Sequence, residues 1–147
     1  MPEIIGFDHV YLSVSDIAKS ESFYDRLVSV FGFRKSHFAL HGDAHVQYYN
    51  RHFGLVIRQA RSMTPHDPYA PGLHHLCLRV DTIEDVVATA TALRGAGVDA
   101  TEAALHPGYA DDYWATFFND PDGIRLEVTN YRAERRERHD HWDDLPG

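Results

Sequence analysis

The chain repeats one alternation of apolar and polar residues at two places. The segments "DHVYLSVSD" (Asp8–Asp16) and "HHLCLRVDT" (His74–Thr82) align residue for residue. Alternation over this length is typical of a strand with one buried face. Each segment therefore predicts a β-strand, and their similarity predicts an internal repeat.

A helical pattern follows each of these predicted strands. In both copies, apolar residues recur at helical spacing and end near glycine, at "GFR" in the first copy and at "GAG" in the second. The second helix starts with "TIED", which has the form of a capping box. The apolar positions are Phe23, Tyr24, Leu27, Val28 and Phe31 in the first helix, and Ile83, Val86, Val87, Ala90 and Leu93 in the second.

Three strand-like segments follow each helix. They are expected near residues 34–38, 44–49 and 54–59 in the first half, and near 98–103, 113–118 and 123–129 in the second. The turn sequence "NDPDG" separates the last two. The predicted fold class is α+β, with two β-α-β-β-β modules that form curved mixed sheets around a central cleft.

The length of 147 residues favours a single domain over residues 1–147. Between the halves lies "RSMTPHDPYAPG", in which three prolines indicate a linker. The predicted parts are module 1 at about 5–60, the linker at about 61–72, module 2 at about 73–130 and a charged C-terminal tail at 131–147, which includes a solvated helical segment "RAERRER".

Charge and cysteine content narrow the possible functions. The net charge of −8 argues against a nucleic-acid surface, which would need a basic face. The single cysteine, Cys77, excludes an internal disulfide. No basic segment leads into a long apolar one, and no apolar run approaches the roughly 20 residues that span a bilayer. We therefore expect no membrane partner and a cytoplasmic location.

Strand phase selects two of the eleven histidines. Successive side chains of a strand point to opposite faces. In "HHLCLRV", Leu76 and its alternate neighbours are expected to pack on the helix, so that His75 and Cys77 face the other way. The same argument in "DHVYLSV" places His9 and Tyr11 on the face opposite the helix. The histidines thus occupy equivalent positions in the repeat.

A carboxylate has the same phase in the last strand of the second half. In "GIRLEV", Ile124, Leu126 and Val128 are expected to face the helix and Glu127 the opposite side. Two histidines and one carboxylate suit a divalent iron, manganese, zinc or nickel ion with open positions. The alternative is that these are unrelated polar residues that face water.

The segments "DHVYLSVSDIAKSESFYDRL", "HHLCLRVD" and "FFNDPDGIRLEV" resemble those of the vicinal oxygen chelate superfamily. This superfamily includes glyoxalases, bleomycin- and fosfomycin-resistance proteins and extradiol dioxygenases. The resemblance covers about residues 5–130 and is specific for the fold more than for the reaction. It implies metal ligands at His9, His75 and Glu127, and a metal that acts as a Lewis acid on a substrate chelating it through oxygen.

One position departs from the lactoylglutathione lyases that this resemblance includes. Alignment of "GLVIRQ" with "GIRLEV" places Arg58 opposite Glu127, where those lyases usually carry a carboxylate or glutamine. Arginine neither ligates a metal nor acts as a base at neutral pH. Gln59 would take this place only if the register slipped by one residue. Without such a slip three ligands remain, and Arg58 would bind an anionic group of the substrate or lie exposed at a sheet edge.

The resulting hypothesis is a divalent-metal-dependent enzyme that acts on a small, oxygen-chelating and anionic substrate. The reaction would be that of a dioxygenase, a lyase or a thiol transferase, and the alternative is a non-catalytic small-molecule binder. Glu127 and Tyr113, a phenolic proton donor, are the candidate catalytic residues. Family precedent implies a homodimer. The candidate substrate-binding residues are Arg58, Tyr11, Tyr109 and Cys77.

Overall fold

The computed structural model describes residues 1–146, so Gly147, the last residue of the predicted tail, lies outside the described residues. The chain forms two compact units. Unit 1 contains Met1–Asp67 and Asp120–Gly123, and unit 2 contains Pro68–Asn119 and the chain from Ile124 onward. Each unit has one open, four-stranded mixed sheet with helices, which confirms the predicted α+β class and the two β-α-β-β-β modules.

Unit 1 follows the predicted order of elements. Its elements are β1 (His9–Val14), α1 (Ile17–Phe31), β2 (Arg34–Leu40), β3 (Asp43–Tyr49) and β4 (Gly54–Gln59). The sheet order is β1-β4-β3-β2, with β1 parallel to β4 and the other pairs antiparallel. Asp16 caps α1 by accepting a hydrogen bond from the Lys19 N–H. The helix ends at Gly32, whose φ of 65° is the left-handed conformation that glycine favours.

Unit 2 repeats this arrangement and adds the tail. Its elements are β5 (His75–Val80), α2 (Ile83–Gly95), β6 (Ala104–Leu105), β7 (Trp114–Asn119), β8 (Arg125–Asn130) and α3 (Ala133–Asp140), followed by a 3₁₀ turn at Trp142–Asp144. The sheet order is β5-β8-β7-β6, with β5 parallel to β8. Thr82 and Asp85 form the predicted capping box. None of the helices in residues 1–146 is both long and apolar enough to cross a membrane.

The strand predicted at 98–103 is wrong. The ladder pairing with β7 is confined to Ala104–Leu105. The Val98 N–H instead bonds to the Leu93 carbonyl of α2. At Thr101, the hydroxyl accepts a hydrogen bond from the Phe117 N–H in place of a backbone carbonyl. Because a helix end and a side chain satisfy these groups, the segment lies beside β7 without forming a regular ladder.

Burial confirms the predicted strand phase. In β1, Leu12 and Val14 are buried, while His9 and Tyr11 are exposed on the other face. In β8, residues 126–130 are all buried, and the contact of Glu127 with His75 places its side chain on the same face as that histidine. We call the face of each sheet that lies opposite its helix the helix-free face. The candidate ligands therefore lie on the helix-free faces of their sheets, as the alternation predicts.

Candidate metal centre and cavity

Glu127 is a buried carboxylate whose two oxygens have different partners. It lies in β8 directly beside Cys77 of β5, and only 3% of its surface is exposed. The Tyr113 hydroxyl donates a hydrogen bond to Oε1. Oε2 lies 3.3 Å from Nε2 of His75. One oxygen is therefore held by a phenol, while the other lies next to an imidazole nitrogen.

His75 adds the second donor of this pair. Its side chain is 40% exposed, and its Nδ1 lies 2.9 Å from Nδ1 of His74. With Nδ1 in this contact, Nε2 is the ring nitrogen directed at Glu127. An imidazole nitrogen and a carboxylate oxygen are ligands that divalent iron, manganese, zinc and nickel accept. The residues present in unit 2 thus fit part of a divalent metal site.

Cys77 and Tyr113 adjoin Glu127 as neutral groups. Cys77 is exposed at the surface, but desolvation by its neighbours and then the charge of Glu127 raise the pKa of its thiol to about 12. Burial and the hydrogen bond to Glu127 raise the pKa of the Tyr113 hydroxyl well above its ordinary value. Both groups therefore stay protonated at neutral pH. Tyr113 acts on Glu127 as a hydrogen-bond donor, and Cys77 is not an activated nucleophile.

His9 lies in unit 1, at the start of β1. Its side chain is about half exposed, and Nδ1 lies 2.6 Å from Oδ2 of Asp8. The ring of Tyr11 packs edge-on against it, with 5.3 Å between the centroids. Across residues 1–146, no three or more histidine, cysteine, aspartate or glutamate side chains form a group that could hold a metal ion. The membership of His9 in the metal set stays a prediction.

A cavity of about 380 Å³ opens on the helix-free face of unit 1. Its wall includes the predicted residues His9 and Tyr11. The other lining residues are Asp8, Phe38, Gln47, Tyr49, Asn50, Arg51, His52, Phe53, Gly54 and Val56. Six of these twelve residues are polar or charged and four are tyrosine or phenylalanine, so the wall combines aromatic rings with many polar groups.

The strand register corrects the position assigned to Arg58. Tyr11 pairs with Val56, and Cys77 pairs with Glu127. Tyr11 and Cys77 each follow the candidate ligand histidine by two residues, so the residue equivalent to Glu127 is Val56. Arg58 is therefore not the counterpart of Glu127. Val56 is 2% exposed and has no group that ligates a metal or transfers a proton.

The two glycines used to align the segments differ in conformation. Gly54 is the first residue of β4 and is extended with it. Gly123 has a φ of 79° and lies in the turn before β8, where its N–H bonds to the Asp120 carbonyl. The alignment matched a strand residue with a turn residue. This shift of two residues produced the wrong equivalence.

Arg58 and Gln59 both have partners within unit 1. Arg58 forms an ion pair with Asp43, which Arg61 also contacts at 2.7 Å. The Gln59 amide accepts from the Ile17 N–H at 3.1 Å and donates to the Ser15 carbonyl at 2.8 Å. The guanidinium of Arg58 is thus already engaged with a carboxylate, and Gln59 bonds to the backbone at the start of α1. The register slip that would place Gln59 opposite Glu127 does not occur.

Tyr109 belongs to a row of rings that the sequence did not reveal. His106 stacks on Tyr109 with centroids 5.5 Å apart, and Tyr109 packs edge-on against Tyr113 at 5.2 Å. His106 also contacts Phe117 at 5.3 Å. The guanidinium of Arg132 lies over the Tyr113 ring, 4.6 Å from its centroid. Tyr109 thus supports Tyr113, and His106 lacked any periodic pattern that would have identified it.

His45 of β3 is a second residue that the sequence did not single out. It is 1% exposed and stacks on Phe38 at 4.7 Å. Nδ1 lies 2.9 Å from the Asp43 carbonyl, which only accepts hydrogen bonds, so Nδ1 carries the proton. Nε2 is buried without a hydrogen-bond partner. The unpartnered Nε2 of His45 thus lies close to two rings that line the cavity, those of Phe38 and Tyr11.

Comparison with known proteins identifies the family. The model of the glyoxalase/bleomycin resistance protein/dioxygenase superfamily matches residues 6–128. No curated protein matches the chain significantly.

Solved structures share the fold. A glyoxylase/bleomycin resistance protein/dioxygenase domain from Frankia sp. EAN1pec is 23% identical, with a TM-score of 0.70 over 88% of this chain and 100% of that one. The fosfomycin resistance protein FosX from Listeria monocytogenes is 18% identical, with a TM-score of 0.64 over 91% and 99% of the two chains. A lactoylglutathione lyase from Agrobacterium tumefaciens is 20% identical, with a TM-score of 0.60 over 88% and 95%. At these identities the likeness shows the fold alone.

Proposed function

Because the chain belongs to the glyoxalase/bleomycin resistance protein/dioxygenase superfamily, we propose that it is a divalent-metal-dependent enzyme acting on a small, oxygen-chelating substrate. The observation that carries this proposal is the convergence of His75 Nε2 and Glu127 Oε2, 3.3 Å apart on the helix-free face of unit 2. His9 is proposed as the third ligand, supplied by the same chain or by the partner in a homodimer.

The surroundings of Glu127 support a ligand role more than a role in stability. A carboxylate that is 3% exposed is costly to bury unless charge or hydrogen bonds compensate it. Tyr113 donates to one oxygen, His75 lies beside the other, and Cys77 also hydrogen-bonds the carboxylate, but none of these three groups carries a fixed positive charge. A bound divalent cation would complete this compensation, and as a Lewis acid it would polarise the substrate oxygens that it holds.

Tyr113 is the residue that orients the Glu127 carboxylate in the proposed metal site. Its raised pKa keeps the hydroxyl protonated, so it donates to Glu127 Oε1 at neutral pH and orients the carboxylate. Such an outer hydrogen bond fixes the geometry of a ligand and tunes its basicity. We therefore propose Tyr113 as the residue that orients Glu127, with proton donation to substrate as an added role.

The cavity of unit 1 supports a substrate with both a ring or apolar body and an anionic group. Tyr11 and Phe38 offer apolar contact area in its wall. Arg51 also lines the cavity and takes part in no ion pair of the described residues. Since Arg58 is paired with Asp43 and is not among the cavity residues, Arg51 is the better candidate to bind a carboxylate, phosphonate or enolate.

Val56 bears on the reaction class. A lyase that moves a proton between two carbons needs acid–base groups on both sides of its substrate. An apolar valine opposite Glu127 in the repeat leaves a single carboxylate for this purpose. This favours a dioxygenase or a thiol transferase over the lactoylglutathione lyase reaction.

A panel of three reactions tests the proposed activity. The protein is loaded separately with ferrous, manganous, zinc and nickel ions and given a catechol, an epoxide with a thiol, or methylglyoxal with glutathione. Oxygen uptake, thiol consumption and thioester formation distinguish the three classes. Turnover that requires the metal and is lost in Glu127→Gln supports the proposal, whereas metal-independent turnover contradicts it.

A non-catalytic small-molecule binder is the second candidate, and the cavity in unit 1 favours it. Its aromatic wall could hold a ligand without any metal. Binding that survives chelator treatment, together with less than about a tenth of an equivalent of metal in the purified protein, would favour the binder. An enzyme of the proposed type should bind its ligand more weakly once a chelator has removed the metal.

A further inference from the structure

In both units, the residue before the candidate ligand histidine contacts Nδ1 of that histidine. Asp8 Oδ2 lies 2.6 Å from Nδ1 of His9. Nδ1 of His74 lies 2.9 Å from Nδ1 of His75. The two halves of the repeat thus make the same contact with different side chains. In both cases the ring nitrogen left over is Nε2.

We propose that Asp8 and His74 are positioning residues that hold Nδ1 of His9 and His75 and so present Nε2 to a divalent metal ion. This inference rests on the proposed metal-binding function. Ligating histidines commonly donate their other ring N–H to a carboxylate, carbonyl or similar acceptor, which fixes the tautomer and the ring orientation. In unit 2, Nε2 of His75 lies 3.3 Å from Oε2 of Glu127, so this nitrogen points at the carboxylate that is proposed to share the metal.

Asp8 and His74 differ in how they constrain the proton on the neighbouring histidine ring. An ionised aspartate only accepts hydrogen bonds, so Asp8 fixes the proton of His9 on Nδ1. A neutral histidine has one donor and one acceptor nitrogen, so His74 can receive the proton of His75 Nδ1 or supply one to it. Asp8 thus favours one tautomer of His9, while His74 accommodates either tautomer of His75, including the one whose unprotonated Nε2 would ligate a metal.

Both contacts are local and can be removed with little risk to the fold. The side chain of Asp8 is 95% exposed. His74 is also exposed, and besides His75 it packs edge-on against Tyr69 at 5.4 Å. The strand pairing of His9 and His75 depends on backbone bonds that neither substitution removes.

The first test reads the tautomer directly in metal-free protein. Long-range proton–nitrogen NMR of the imidazole rings should show His9 protonated on Nδ1 in the wild type. The population protonated on Nε2 should rise in Asp8→Ala and rise less in Asp8→Asn, whose amide oxygen still accepts. Glu3→Ala, which removes a charge from an exposed residue of the same segment, should leave the His9 signals unchanged.

The second test measures affinity for Zn²⁺ and Mn²⁺ by calorimetry. We expect Asp8→Ala and His74→Ala each to weaken binding by about 10- to 100-fold, with Asp8→Asn between Asp8→Ala and the wild type. If His9→Ala abolishes binding while Asp8→Ala retains wild-type affinity and an unchanged His9 tautomer, the positioning role is overturned and the metal site stands. If the wild type binds neither ion, both the proposed function and this inference are contradicted.

Discussion

The Tyr113 hydroxyl donates a hydrogen bond to one oxygen of Glu127, and the other oxygen lies 3.3 Å from Nε2 of His75. The carboxylate is thereby fixed at one end and directed at the histidine by the other. Where a carboxylate ligates a metal, the hydrogen bonds that orient it affect the metal affinity. The consequences of this arrangement can be measured.

Tyr113→Phe should weaken the binding of Zn²⁺ or Mn²⁺ by about 10- to 100-fold, because Glu127 loses the donor that orients it. The ring remains, so the packing against Tyr109 is preserved. Calorimetric titration of the metal-free protein measures the change. Tyr109→Phe removes a hydroxyl from the neighbouring ring and serves as the matched control. Equal affinities for Tyr113→Phe and the wild type would refute the role of Tyr113.

Cys77 should react slowly with iodoacetamide at pH 8.5. Because the pKa of the Cys77 thiol is raised to about 12, a far smaller fraction is ionised than in an ordinary cysteine. A thiolate of higher pKa is more nucleophilic, but this compensates only in part for its low abundance. We expect alkylation on the order of a hundredfold slower than for a cysteine in a short peptide.

Glu127→Gln tests how far the charge of Glu127 contributes to the raised pKa of the Cys77 thiol. The charge of Glu127 raises the pKa of Cys77, so its removal should lower that pKa and accelerate alkylation at pH 8.5. The rates are followed by mass spectrometry between pH 7 and 11, with the unfolded chain as the reference for an unshifted thiol. A rate in the native wild type as fast as in the unfolded chain would show that the thiol is not held neutral.

Arg58→Ala should lower the melting temperature at pH 7 more than at pH 3. Arg61, and with it Arg58, holds the pKa of the Asp43 carboxyl below its usual range. A depressed carboxyl pKa adds stability above the pKa of the unfolded chain, and that stability is lost as the pH falls through the folded-state pKa. Since the ion pair is partly exposed, the effect should be modest and should shrink in high salt.

Arg51→Ala is the matched control for this measurement, because it removes an arginine that has no ion pair in the described chain. It should leave the melting temperature at both pH values close to that of the wild type. A pH-independent loss in Arg58→Ala would mean that the arginine stabilises unit 1 through packing alone, without its charge.

Mixing His9→Ala and His75→Ala chains, each expected to lose metal alone, tests whether a metal site spans two chains. In a homodimer that shares its sites, a mixed dimer of His9→Ala and His75→Ala chains has one site with both histidines intact. Random exchange of equal amounts should restore about a quarter of the wild-type metal sites. Metal content after co-refolding measures this fraction. No recovery in a confirmed mixed dimer would place all three ligands in one chain.

Much of the fold follows from local sequence patterns. Alternation in "DHVYLSV" and "HHLCLRV" determines which residues are buried, because side chains of a strand change face at every residue. The helical spacing and the "TIED" capping box predict α2 correctly for the same local reason. These patterns are also sufficient to place His9, His75 and Glu127 on the helix-free faces.

Long-range pairing was not predictable in the same way. The equivalence of Arg58 with Glu127 rested on matching two glycines, and only the backbone conformation shows that Gly54 is in a strand and Gly123 in a turn. The partners of Arg58 and His45 are likewise unavailable from sequence, because they depend on which side chains the sheet brings together.

Metal analysis of the purified protein tests the central claim most directly. After reconstitution with Zn²⁺ or Mn²⁺ and removal of excess ion, we predict about one equivalent per chain in the wild type. His139→Ala, which alters an exposed histidine of the tail, should retain this content, whereas His75→Ala and Glu127→Gln should fall below about a tenth of an equivalent. Full metal content in His75→Ala would contradict the assignment of His75 and Glu127 as the metal-binding pair.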